Sequence, residues 1–169
     1  MPKPPAKKFS KIGVSEPVSF AVETRVLGAK EGGMASGGGS IHLFSGDRSR
    51  ELVRFDCFDD EPHYHYLNHR EQLNTVWCFD GAVNGPMPRW VLSALRENLP
   101  GMLRAAGEEE LARRVETEGF DASVLARVGQ AVAQAQDRCT NEVAELVDEG
   151  VDWVRQWREK NPDVAFGTS

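Results

Sequence analysis

At 169 residues, 40% hydrophobic and 27% charged, the chain has material for one domain with a buried core and too little for two comfortable ones. A formal net charge of -6 argues against general nucleic-acid binding, because neutralising phosphates needs a basic surface. Cys57, Cys78 and Cys139 are odd in number and widely spaced, which argues against a disulfide framework or zinc ribbon and fits reduced thiols.

Residues 1–16 mix Pro, Lys and Ser and read as a flexible tail. This start is basic but lacks the apolar run of a secretory signal. No stretch approaches the ~18 consecutive apolar residues of a membrane helix. A cytoplasmic location without a membrane partner is the expectation. "PVSFAVETRVL" then alternates, with Val18, Phe20, Val22 and Val26 on one side and Ser19, Ala21, Glu23 and Arg25 on the other. That is strand periodicity. "GAKEGGMASGGGS", residues 28–40, reads as a glycine-rich flexible loop able to act as a lid. It feeds a strand, whereas phosphate cradles feed a helix N-terminus.

Further strands are predicted around 40–45, 51–58, 63–68 and 75–80, separated by "GDRSR", "DDEP" and "HREQLN". Short turns between successive strands favour an antiparallel meander. From "GPMPRWVLSALRENL" the period becomes helical: Pro88 suits a first turn, and Val91, Leu92, Leu95 and Leu99 form a stripe. "LPGMLRAAG" and "EEELARRVE" continue it, with a break at Gly107. Residues 121–160 keep an apolar or small face through Val124, Val128, Ala131, Ala135, Cys139, Val143, Leu146, Trp153 and Trp157. A straight helix of that span is ~60 Å long. It therefore bends near Thr140 or Gly150, or packs on a partner, which makes a homodimer through this helix an expectation. The fold class is α+β: a meander of about five strands followed by helices packed on one face, the last one long. Residues 17–160 form one domain (17–80 sheet, 86–160 helices), and 161–169 form a C-terminal tail.

The chemistry concentrates in "RFDCFDDEPHYHYLNH", residues 54–69, which holds three of the four histidines. If "DDEP" closes a hairpin with Phe58 opposite His63, then Asp56 faces His65 and Arg54 faces Leu67. If "HREQLN" is the next loop, with Asn68 opposite Thr75, then His65 faces Cys78 and His63 faces Asp80. With "GDRSR" as the preceding loop, Leu43 pairs with Val53, Ile41 with Phe55 and His42 with Arg54. This register puts the large apolar residues on one face, as burial demands. The other face then carries Glu23, Arg25, His42, Arg54, Asp56, His63, His65, Cys78 and Asp80. Arg, Asp, His and Cys are the residues that ligate metals, move protons and grip anions.

His63 and His65, ~6.6 Å apart along a strand, are spaced to converge on one ion. Asp56 or Asp80 would be the third ligand, or would orient a ring. Two histidines and a carboxylate with open positions suit iron, manganese or zinc. Asp56 and Arg54 are the candidate catalytic residues, with Arg54 or Arg25 holding an anionic small-molecule substrate. The alternatives are a partner-binding or assembly module built on the C-terminal helix, and metal-independent, ribonuclease-like His/Arg chemistry.

Overall fold

The computed structural model of the protein describes residues 9–27, 36–140 and 160. Six strands follow one another: β1 (Phe9–Ser15), β2 (Val18–Leu27), β3 (Ser36–Ser45), β4 (Glu51–Phe58), β5 (His63–Asn68) and β6 (Leu73–Cys78). They hydrogen-bond in chain order as one antiparallel sheet, the expected meander. Helices α1 (Gly81–Asn84), α2 (Met87–Ala105) and α3 (Glu109–Glu118) follow, and then α4 over residues 124–140. This is the expected α+β order. The bends expected near Thr140 and Gly150, the tryptophans Trp153 and Trp157, and most of the helix proposed for assembly fall outside the described residues or at their edge.

Two segments differ from the sequence reading. The span taken for an N-terminal tail contains β1, which pairs with β2. A bulge between Lys11 and Gly13 interrupts its alternation, so the strand period is hidden in the sequence. The end of the glycine-rich segment is also not loop: residues 36–40 belong to β3. Its glycines let other backbone and α4 come close. A Cβ at Gly38 would stand 2.2 Å from the Cys57 carbonyl oxygen, and one at Gly39 would stand 2.7 Å from Val132 Cγ2. Glycine inside a strand here marks a close approach.

Alternate residues of the sheet point under the helices. Val18, Phe20 and Val22, Ile41 and Leu43, and Val53 and Phe55 are buried against the α2 stripe Val91, Leu95 and Leu99. Leu111 and Val115 of α3, with Val124, Val128 and Val132 of α4, complete the layer. Pro88 occupies the first turn of α2, and Gly107, at φ 79°, supplies the left-handed break before α3. Asn98 leaves helical geometry inside α2, two residues before Pro100, so the helix kinks there.

The β3–β4 register is the expected one, with Leu43 opposite Val53, Ile41 opposite Phe55 and His42 opposite Arg54. The next two pairings are each displaced by two residues. Asp56 faces His63 and Arg54 faces His65, in place of Phe58–His63 and Asp56–His65. Asn68 faces Leu73, so His63 faces Cys78 and His65 faces Val76. Cys57 and Phe58 stay in β4 opposite β3 beyond its last pair with β5, and the chain then turns through Glu61 at φ 50°, whereas the β5–β6 turn is tighter than expected and uses Gln72 at φ 54°. A slip of two residues changes neighbours but keeps every side chain on its face.

The close approach at Gly38 makes a direct prediction. Gly38→Ala should lower unfolding stability by about 1–3 kcal/mol, the usual cost of overpacking. Gly81→Ala, whose Cβ meets only Phe79 at 3.9 Å, should be near neutral. Urea denaturation of both variants measures the difference.

Candidate metal centre

The sheet face away from the core stripe is polar, yet much of it is buried. Ser19, Glu23, Ser40, His42 and Asp56 all lie below one-tenth exposure, and the Asp56 carboxylate is 1% exposed. A carboxylate out of water must be compensated by hydrogen bonds or charge. Asp56 divides this work between its two oxygens. Oδ1 accepts a short hydrogen bond from Ser40 Oγ and one of 3.3 Å from Arg25. Oδ2 faces two imidazoles, with His63 Nε2 at 3.3 Å and His65 Nε2 at 3.2 Å.

The far side of each ring is tied down as well. His63 Nδ1–H donates to the Glu61 carbonyl at 2.7 Å, and His65 Nδ1–H donates to Asn74 Oδ1 at 3.0 Å. With the proton on Nδ1, a neutral ring presents its Nε2 lone pair to Asp56. Two lone pairs aimed at one carboxylate oxygen repel unless protons or a cation lie between them. Among the described residues, Asp56, His63 and His65 form the group whose ligand atoms all lie within 4.8 Å of one another. Two ligands bound at ~2.0–2.1 Å to a tetrahedral ion stand about 3.3 Å apart, which the carboxylate–imidazole distances match.

The sheet also determines what surrounds this cluster. A cleft of about 500 Å³ is lined by Arg25, Leu27, Arg54, Asp56, Phe58, His63 and His65. The Arg25 guanidinium lies over the Phe58 ring, 5.3 Å from its centroid. Arg54 is held by Glu51 through two hydrogen bonds, Nε to Oε1 at 2.8 Å and NH2 to Oε2 at 2.9 Å. Glu51 also accepts from His42 Nδ1 at 2.5 Å, while His42 Nε2 stands 3.2 Å from Glu23. Burial works to raise the Glu51 carboxyl, but the hydrogen bonds from His42 and Arg54 outweigh it and hold it at about 2. Burial, reinforced by the Asp56 charge, pushes the Cys57 thiol up to about 12, so this cysteine is no nucleophile.

The sequence-predicted residues therefore separate. Asp56, His63 and His65 come together, and Arg54 and Arg25 flank them. Asp80 lies elsewhere. It caps α1, accepting from the Ala82 and Val83 amides, and takes no part in the cluster. An Asp before "GAVNG" is an N-cap signal that the face argument passed over. His69 sits at the β5–β6 turn against the Glu51 carbonyl, and Cys78 is exposed. Sequence reasoning missed Glu51 and Asn74. Glu51 reaches the polar face through a bulge: Leu43 pairs with Val53 but Phe44 pairs with Glu51, so Leu52 is the extra residue. Simple alternation puts Glu51 on the other side.

A family model described as a domain of unknown function, DUF7700, matches residues 14–132. The chain belongs to this family. No curated protein matches it, and no solved structure matches it. The DUF7700 match spans the triad, its supporting groups Ser40, Arg25, Glu61 and Asn74, and the Glu51–Arg54 pair.

The lowered Glu51 carboxyl has a signed consequence. Its ordinary value is 4.5 and its folded value is about 2, so its contribution to stability is complete above about pH 4.5 and is lost as pH falls toward 2. In Glu51→Gln, acid should destabilise the fold less steeply across that window, read from urea midpoints at stepped pH.

Proposed function

We propose that this DUF7700 protein is a metal-dependent enzyme acting on an anionic small molecule. Asp56, His63 and His65 hold one divalent ion (iron, zinc or manganese), and Arg54 and Arg25 receive the anion. One observation carries the reading. The His63 and His65 Nε2 atoms stand 3.3 and 3.2 Å from Asp56 Oδ2, all three atoms lie within 4.8 Å of one another, and each ligand is braced from behind by a hydrogen-bond partner. Such bracing is what metal-ligating histidines and carboxylates use to fix tautomer and direction.

Charge supports the second half. Among the residues lining the cleft, Arg25 and Arg54 against Asp56 leave one net positive charge, counting the rings as neutral. A dication adds to that charge, so the metal-loaded cleft attracts an anion more strongly than the empty one. Three protein ligands leave coordination positions for water or substrate, and a bound ion would polarise a substrate oxygen or activate a water there. Leu27 and Phe58 add an apolar wall, which suits a small acid carrying some hydrocarbon. Metal-independent His/Arg catalysis is less well supported. A general base needs a ring nitrogen turned to substrate, and in both rings one nitrogen faces a protein acceptor and the other faces Asp56.

Elemental analysis tests the proposal. The full chain, equilibrated separately with Zn(II), Mn(II) and anaerobic Fe(II) and then desalted, should retain about one equivalent of at least one metal. Asp56→Asn and His63→Ala/His65→Ala should retain almost none, and Asp80→Asn should behave as wild type. Acid should release the ion, because protons compete for the same Nε2 lone pairs. A double-histidine variant with undiminished metal content would refute the assignment.

A further inference from the structure

We infer that β6 is a dimerisation edge, pairing antiparallel with β6 of a second copy of this chain to continue the sheet. β6 ends the strand order, and all six of its residues, "LNTVWC", are exposed. Leu73 is 54% exposed, Val76 51% and Trp77 54%, large apolar surface for a monomer to leave in water. Edges that must stay unpaired are protected by charge, proline or a bulge. This strand has no charged residue and no proline, and its pairing with β5 runs from Leu73 to Cys78 without a register shift.

The direction of its free hydrogen bonds follows from one contact. The Phe79 amide donates to the Pro62 carbonyl at 2.9 Å, which aligns with the β5–β6 register. Successive residues of a strand turn their backbone groups to opposite sides. Thus Leu73, Thr75 and Trp77 bond inward to β5, and Asn74, Val76 and Cys78 present their N–H and C=O groups outward.

The occupant is therefore a β-strand, and a second copy fits by symmetry and by the match of its own apolar side chains. A two-fold axis normal to the sheet keeps both helical layers on one side and pairs β6 with itself antiparallel. Centred at Thr75, it puts Leu73 of each copy opposite Trp77 of the other, and Asn74 opposite Val76. Apolar residues then meet apolar residues twice on the helix-side face, outward donors meet outward acceptors, and no like charges are opposed.

The parity provides a selective test. Val76→Pro removes an outward N–H and leaves the β5 ladder intact, as proline on an edge strand does. Val76→Lys adds the charge that unpaired edges carry. Sedimentation velocity of the full chain at about 100 µM should give twice the 18.7 kDa chain mass for wild type and the single-chain mass for both variants, all with matching far-UV circular dichroism. A wild-type protein that sediments as a single chain, or a dimer that persists in both folded variants, would overturn the inference. Should Val76→Pro unfold, Val76→Lys alone decides.

Discussion

The arrangement of this protein turns on a carboxylate that the fold takes out of water. Asp56 sits in the middle strands of a six-stranded sheet at 1% exposure, and an ion there is costly unless its surroundings replace the solvent. β3 supplies Ser40, β2 supplies Arg25 and β5 supplies His63 and His65, so compensation comes from three other strands. The antiparallel register makes this possible, because residues opposed across neighbouring strands share a face and stand within side-chain reach. Sliding the β4–β5 pairing by one residue would turn the imidazoles toward the helices and leave Asp56 with Ser40 and Arg25 alone.

A second layer of polar residues explains why the rings and guanidiniums do not simply collapse onto one another. Glu51 engages Arg54 with both oxygens and also accepts from His42, which reaches toward Glu23. Arg54 is thereby kept beside the cluster without competing for Asp56. Arg25 is steadied by the Phe58 ring beneath it. The result is a cleft whose floor is a pair of imidazole nitrogens facing one carboxylate oxygen. Its walls carry positive charge already balanced by acids deeper in the sheet. Local order of this kind keeps both guanidiniums at the cleft without displacing the imidazoles from Asp56.

Much of this was legible in the amino acids. The alternation in residues 18–26 and 51–58 marks strands, and the i, i+4 stripe Val91, Leu95 and Leu99 marks the covering helix. Faces were recoverable where exact partners were not, because both displaced pairings moved by two residues and parity survived. Bulges hid the rest. One at Leu52 turns Glu51 onto the polar face, and one near Ile12 disguises β1. The glycines at 37–39 suggest freedom in a sequence, and only the packed neighbours reveal that they are small because space is lacking. Asp80 shares a composition with the site and not a location, since the turn after β6 uses it as a helix cap. Nothing in a one-dimensional pattern marks Asn74 as the partner of His65, because that contact depends on the tightness of the β5–β6 turn.

The central claim is that Asp56 Oδ2 and the two Nε2 atoms form a cation site. Anomalous diffraction from crystals grown with zinc or manganese, collected on either side of the metal edge, tests it most directly. The account predicts one dominant peak about 2 Å from all three atoms, with both Nδ1 hydrogen bonds retained. A cluster that stays ordered and unchanged while the anomalous signal is absent, or sits instead on the Asp59–Glu61 turn, would contradict it.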